Sequence, residues 1–214
     1  MFHSVPPTLV ELFEGCEYPW EILPKIEATI LSVVQKDCGE YSLLKEGVWV
    51  GENVKISPLS TIEAPCVIGA NTEIRPGAYI RGKVFIGKNC VVGNSTELKN
   101  CILLDGVQVP HYNYVGDSVL GCYSHLGAGS ICSNLKSDKT QVVIHGEEDY
   151  PTHLKKVGAF LGDRADVGCG CVLNPGTIIG RETSVYPLNA LRGVFPPSSI
   201  VKKQETVVKR RVER

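Results

Sequence analysis

An aliphatic residue returns at every sixth position from Val50 through Ile56, Ile62, Ile68, Ile74, Ile80, Ile86, Val92 and Leu98 to Leu104. Four positions after each sits a residue that is usually small: Ser60, Cys66, Thr72, Ala78, Cys90 and Thr96 fit, while Gln108 does not. A helix repeats near about 3.6 residues and a strand alternates its two faces, so neither keeps a beat of six. A beat of six suits a solenoid of short strands that each end in a corner. At every corner one aliphatic side chain points inward and a small one makes room for the bend.

The segments I-G-A-N-T-E, I-R-P-G-A-Y, I-G-K-N-C-V and V-G-N-S-T-E resemble the hexapeptide repeat of left-handed parallel β-helices. The left hand is implied by that resemblance alone, since the general preference for right-handed parallel crossovers points the other way. The expected fold is therefore mainly β, a single-stranded left-handed parallel β-helix with a short helical N-terminal cap.

Residues 1–47 do not repeat and read as this helical cap. Thr8 with Glu11 forms a capping box after Pro6 and Pro7, and Gly15 can end the short helix. Pro24 suits the first turn of a second helix with Ile26, Ile30, Val33 and Val34 on one face, stopping near Lys36 and Gly39. Such helices are expected to cover the open first coil of the solenoid. The repeat occupies residues 48–200, roughly seven three-sided coils. Its phase changes near V-P-H-Y-N, where Val115 and Leu120 stand five apart. It dissolves over residues 133–156, a polar stretch with one strand at 141–145, read as a loop or hairpin standing out from the solenoid. Long loops that interrupt compact repeats are more often functional than accidental. The beat resumes at Leu161, Val167, Leu173, Ile179, Val185 and Leu191, and 201–214 is a polar, basic tail.

A net charge of −1 over 214 residues gives no electrostatic reason to expect nucleic acid. No apolar run approaches the ~18 residues of a membrane span, and residues 1–12 lack the pattern of a signal peptide. Of nine cysteines, Cys66, Cys90 and Cys171 take the small slot of the repeat, where cysteine packs as a small hydrophobe. Cys169-Gly170-Cys171 is not a zinc spacing, and no metal site is expected. Reduced, packed thiols fit a cytoplasmic protein.

Breaks in a repeat are where side chains escape repetitive packing, and the break here delivers P-H-Y-N-Y-V-G-D. The run V-P-H-Y-N-Y-V-G-D-S-V-L-G, followed by H-L-G-A-G-S-I-C-S-N-L, resembles the acetyltransferase half of the bifunctional glucosamine-1-phosphate acetyltransferase / N-acetylglucosamine-1-phosphate uridyltransferase family. Residues 48–200 are still more similar to the C-terminal domain of archaeal sugar-1-phosphate nucleotidylyltransferase / amino-sugar-1-phosphate acetyltransferases. No Gly-rich nucleotide loop with a βαβ pattern precedes the solenoid in this sequence.

That resemblance implies an acetyl-CoA-dependent N-acetyltransferase acting on an amino-sugar 1-phosphate at clefts between the subunits of a homotrimer. It places His111 as general base. Taken alone, His111 reads more simply as a turn histidine bonded to a carbonyl. The chemistry needs a base, because an amino sugar is largely an ammonium at neutral pH and must lose a proton as it attacks a thioester. Backbone N–H groups at Gly127 and Ala128 are the expected oxyanion donors. Arg75, Lys99 and Tyr114 match sugar-phosphate contacts, where a guanidinium and an ammonium would meet one dianion. Asn134, with Ala128, falls beside acetyl-CoA. His125 replaces a substrate-contacting asparagine of the family, and Leu135 replaces a tyrosine beside the cofactor, so the identity of the sugar stays open. Asp117 reads as a turn residue. Two other classes stay open: a non-catalytic partner or regulatory subunit of a separate sugar nucleotidylyltransferase, and a γ-type carbonic anhydrase. The latter lacks closely spaced zinc histidines among His111, His125, His145 and His153.

Overall fold

The computed structural model describes residues 1–36, 39–203 and 205–209. Its parallel strands stack into a three-faced β-solenoid. Face one carries Lys55–Ile56, Glu73–Ile74, Val91–Asn94, Gln108–His111, His125–Leu126, Asp166–Val167, Ser184–Val185 and Ser199–Lys203 in successive coils. Face two carries Thr61–Glu63, Tyr79–Arg81, Ile131–Cys132, Val172–Leu173 and Ala190–Leu191. Face three carries Val48–Val50, Cys66–Ile68, Val84–Ile86, Ala159–Leu161, Thr177–Ile179 and Val194–Phe195. Two longer strands, Glu97–Leu103 and Tyr114–Leu120, bend round the edge from face two to face three and belong to both. Antiparallel strands Ser42–Lys45 and Thr206–Lys209 close the two ends. Face one alone carries eight parallel levels and the stack comes to about nine turns, against the roughly seven coils read from the periodic residues.

The inner core is the ladder of aliphatic residues that the six-residue beat marks, from Ile68 to Val201, nearly all fully buried. Each such side chain contributes about 1.5–3 kcal/mol by leaving water. The small slots also bond: the buried Thr72 hydroxyl donates to the Gly87 carbonyl at 2.8 Å and accepts from the Cys90 N–H at 3.0 Å. The asparagine of I-G-x-N has its own reason. Asn53, Asn71 and Asn89 occupy one stacked corner at φ of 56°, 59° and 57°, a region that asparagine tolerates better than most residues. The glycine before it, as at Gly69, has its Cα so close to the next coil that a Cβ would meet the backbone of Gly87 and Lys88.

The beat slips earlier than the sequence suggests. Leu103, paired with Ile86, faces the inner core, whereas Leu104 belongs to the outer cluster. The step from Leu98 to Leu103 is thus five residues, as is the step from Val115 to Leu120. Both slips fall on the edge between faces two and three, where the long strands turn through Lys99-Asn100 and Gly116-Asp117 without a separate corner.

The helical segment consists of 3₁₀ turns at Pro7–Leu9 and Pro19–Lys25, with α1 at Val10–Glu14 and α2 at Ile26–Gln35. Gly15 caps α1 as expected, through its N–H on the Glu11 carbonyl, but Thr8 makes no capping bond. The helices lie on a side of the prism instead of over its open end. Leu9, Trp20, Ile22, Ile26 and Ile30 pack on Val67, Phe85, Ile102 and Val119, the outward residues of face three. The cause is legible in register: Trp49, Val67, Phe85, Ile102, Val119, Phe160 and Ile178 stack outward on that face, and all are apolar. The interrupting segment does not stand out either. Its hairpin, Val143–His145 against Asp149–Pro151, folds back with Val142 and Ile144 buried in the same outer cluster as Phe160. Face three is therefore covered by helices and hairpin, while faces one and two stay open.

Candidate active site

The residues singled out from sequence fall on two edges of the prism and one open face. Arg75, His111, Gly127 and Ala128 stack along the edge between faces one and two. Lys99 and Asn134 sit on the edge between faces two and three, and His125 lies within face one. Tyr114 opens face two and reaches towards the second edge.

His111 ends its strand with an exposed side chain. Its N–H donates to Asn113 Oδ1 at 3.1 Å, and its carbonyl accepts the Gly129 N–H at 3.0 Å. Asn113, almost fully buried, donates to the Gly127 and Ser130 carbonyls at 2.8 and 3.2 Å. This one asparagine therefore clamps the histidine turn to the Gly127–Ala128 turn of the next coil, and with Tyr112 at φ 51° it sets how His111 leaves the strand. Among the described residues the imidazole has no hydrogen-bond or ionic partner.

The two expected oxyanion donors separate. Gly127 N–H donates to the Val167 carbonyl at 2.7 Å, so it is committed to the ladder and its glycine serves the tight corner. A Cβ there would sit 2.5 Å from Cys169 N. Ala128 N–H, between that bond and the one from Gly129, has no partner among the described residues. The donor role falls to Ala128 alone.

Arg75 and Lys99 do not converge within one chain. They stand at opposite edges of face two. The Arg75 guanidinium is held by Glu73, with Nε and Nη2 at 3.2 and 3.4 Å from its carboxylate oxygens. Lys99 Nζ lies 3.8 Å from Asp117 Oδ2. Between this second edge and the helices is a cavity of ≈340 Å³ lined by Arg81, Lys83, Lys99, Glu27 and Asp117. Arg81 is paired with Glu97 at 2.7 Å and Lys83 with Glu27 at 2.8 Å.

Around Lys99 lies a network that the sequence did not disclose. Asp117 is 5% exposed. Its Oδ1 accepts from Asn100 Nδ2 at 2.8 Å and its Oδ2 from Asn134 Nδ2 at 2.5 Å. The same Asn134 nitrogen donates to the Tyr114 hydroxyl at 3.1 Å. Burial raises the Tyr114 pKa above the ordinary phenol value, the Asn134 bond offsets part of that, and the charges of Asp117 and Glu97 add to the rise. Tyr114 is thus a neutral O–H donor in the neutral range. His125 Nδ1 lies 2.8 Å from Asp166 Oδ1 in the next coil, on open face one. The available signal for Asn100 and Asp117 was their residue type at a phase slip, since Asn and Asp are the side chains that accept positive φ; theirs are 45° and 47°.

The domain family described as the GMPPB C-terminal domain matches residues 62–148. The bifunctional protein GlmU of Methanococcus vannielii is 30% identical over 198 residues, covering 90% of this chain and 48% of that protein. A bifunctional sugar-1-phosphate nucleotidylyltransferase/acetyltransferase of Sulfurisphaera tokodaii is 32% identical over 151 residues, covering 64% of this chain and 38% of the relative. A solved structure of an N-acyltransferase, AntD from Bacillus cereus, in complex with dTDP and coenzyme A, aligns with a TM-score of 0.48 at 18% identity, over 81% of this chain and 92% of that one. The chain spans about half the length of the GlmU relatives it matches. Among the described residues no helix is long and apolar enough to cross a membrane. By sequence and by its repeat, the chain is a hexapeptide-repeat β-solenoid homologous to GlmU-type bifunctional proteins over about half of their length.

Proposed function

We propose that this chain is an acetyl-CoA-dependent N-acetyltransferase that acts on an amino-sugar 1-phosphate resembling glucosamine-1-phosphate, with His111 as general base. The observation that carries the reading is the paired turn. His111 and Ala128 occupy stacked positions in adjacent coils, about 4.8 Å apart by strand spacing, and the Ala128 N–H between two committed amides is unpaired. A base and an oxyanion donor are thereby fixed to one rigid edge. The name of one relative, a bifunctional sugar-1-phosphate nucleotidylyltransferase/acetyltransferase, supports the same chemistry.

The acceptor amine loses a proton to the His111 imidazole as its nitrogen attacks the thioester carbonyl of acetyl-CoA. The carbonyl oxygen takes the negative charge and accepts the Ala128 N–H. Collapse re-forms the carbonyl and expels the coenzyme A thiolate, which takes the proton from the imidazolium. Lys99 and Tyr114 bind the sugar phosphate. Asn134 lies on the cofactor side, next to a groove of ≈370 Å³ lined by Ser133, Leu135, Lys136 and Arg192 that suits the phosphate-bearing arm of coenzyme A.

The working unit is a homotrimer. Within one chain the His111 ring has no orienting partner and Arg75 is remote from Lys99, so a neighbouring subunit's face completes the site. The test is free-thiol release from acetyl-CoA across a panel of amino-sugar 1-phosphates and their unphosphorylated forms. Turnover confined to phosphorylated amino sugars is expected, and no turnover with any member of the panel, by a chain that also fails to bind coenzyme A, overturns the reading. A non-catalytic partner of a separate sugar nucleotidylyltransferase is the second reading. What favours it is Arg75, whose guanidinium is already engaged by Glu73.

A further inference from the structure

We infer that Asp117 is the positioning residue that ties the acceptor side of the proposed site to its cofactor side, an assignment that rests on the acetyltransferase reading above. Three side chains from the two adjoining coils meet its carboxylate: Lys99 and Asn100 from the coil before, and Asn134 from the coil after. Lys99 is the proposed phosphate ligand and Asn134 the proposed cofactor contact. With one N–H of Asn134 on Asp117 and the other on Tyr114, the carboxamide is fixed in a single orientation. Its Oδ1, unpartnered among the described residues, is then an acceptor directed by the network, suited to an amide N–H of the cofactor's pantetheine arm.

The backbone is shaped for this contact. Gly116, beside Asp117, has no room for a Cβ, which would collide with the Tyr114 hydroxyl and the Asn134 amide folded over it. Asn100 and Asp117 both adopt positive φ at the same edge in successive coils, which turns amide and carboxylate towards each other. Asn134 also stands where the chain leaves the solenoid for its inserted hairpin. Its carbonyl accepts the Val157 N–H at 3.0 Å, and the Asp117 carbonyl accepts the Gly158 N–H at 2.7 Å. These backbone bonds close the neck of the insertion without help from the carboxylate. Both carboxylate oxygens accept from amide N–H donors, with the Lys99 ammonium 3.8 Å away, an all-donor surround that a neutral amide, with one oxygen and one NH2, meets only in part.

Asp117→Asn keeps the shape, removes the charge and replaces one of the two accepting oxygens by a donor, so that one of the bonds to Asn100 and Asn134 is lost. The Michaelis constants for acetyl-CoA and for the acceptor phosphate should each rise about tenfold, with kcat within about threefold, the pattern of lost binding that is uniform between ground and transition state. Lys99→Met should raise the acceptor constant alone, and Asn134→Ala the acetyl-CoA constant alone. The discriminating measurement is the double mutant. Asp117→Asn added to Lys99→Met should leave the acceptor constant where Lys99→Met put it, and added to Asn134→Ala should leave the acetyl-CoA constant unchanged, because positioning through another residue is non-additive.

Strictly additive effects, or a lower melting temperature with unchanged constants, would make Asp117 a support of the fold and overturn the inference. A fall in the acceptor constant would overturn it too, by showing that Asp117 competes with the substrate for Lys99. If the wild type turns over no amino sugar, calorimetry with coenzyme A decides. Binding equal in wild type and Asp117→Asn removes the inference alone, while no binding by wild type removes the acetyltransferase reading and the inference with it.

Discussion

His111→Ala isolates the proposed base. Removing a positioned general base typically costs ~10²–10⁴-fold in rate, whereas folding should hold, because the exposed ring carries none of the inner core. Activity within about threefold of wild type, far above what loss of a base allows, would remove His111 from the mechanism. Asn113 gives the complementary measurement: Asn113→Ala leaves the ring but unclamps its turn, takes the acceptor from the His111 N–H and one of two donors from each of the Gly127 and Ser130 carbonyls, and should lower both kcat and stability. His125→Asn installs the amide of the related family and breaks the bond to Asp166. Its expected effect is a changed preference among amino sugars at unchanged acetyl-CoA affinity, and an unchanged preference would exclude His125 from acceptor recognition. The sequence made residue types visible, and the roles of His111 and Ala128 came from the resemblance, since both phase slips lie on the other edge of face two. It could not show that Glu73 takes up Arg75, that Gly127 spends its N–H in the ladder, or that Asp117 gathers three partners. The Asp117 contacts join side chains one coil apart, seventeen residues away in the chain, the Gly127 bond crosses the inserted segment to Val167, and the Glu73–Arg75 pair depends on which way two near neighbours turn.

At the scale of the elements, the inner core was read almost entirely from the six-residue beat, because a corner tolerates only one inward aliphatic residue. The outer layer was not. A second, longer rhythm runs through Trp49, Val67, Phe85, Ile102 and Val119, one apolar outward residue per coil, and marks the face that helices and hairpin cover. It hides because each of these sits directly before an inward aliphatic, so that the pair reads as ordinary strand hydrophobicity. Two consequences can be measured. Phe85→Ala empties a site that is 2% exposed beneath α2 and should cost about 3–5 kcal/mol in denaturant unfolding, as buried Phe truncations do. Replacing residues 136–155 by a tight turn should expose Phe160 and Ile178 and lower solubility as well as acetyl-CoA affinity; a shortened chain that is as soluble and as stable as the parent would show that the hairpin does not contribute to the outer core. The thiols add a pH signature. Burial pushes Cys66, Cys90 and Cys132 up to about 12, while an unfolded thiol titrates near 9. The folded chain then holds protons that the unfolded chain gives up, so stability should fall as pH rises above 9. In native protein at pH 8, a thiol reagent should modify exposed Cys169 well before these buried three.

The whole molecule presents two open faces and one covered face, an asymmetry that the proposed trimer would use. A two-fold dimer uses the same patch on both partners, whereas a ring uses two different patches head to tail and closes when the rotation permits. Faces one and two are different patches set at the angle of a three-sided prism, and that angle suits closure at three. Face two presents Tyr79 and Ile131, both more than a third exposed, among the charged side chains of Glu63, Arg81 and Glu97. Face one presents Glu73, Gln108, His125 and Asp166. Covering of face three by helices and hairpin removes the third surface that could compete. Light scattering at micromolar concentration should give three chain masses, and a monomer mass would sink both the trimer and the shared site. Ile131→Arg places an extra cation on face two without touching the inner core, since that side chain points outward. It should dissociate the ring and abolish turnover together, because His111 would lose the neighbouring face that completes its surroundings. Dissociation with full activity would show that one chain holds a complete site, and would return the burden of orienting His111 to Asn113 and its turn.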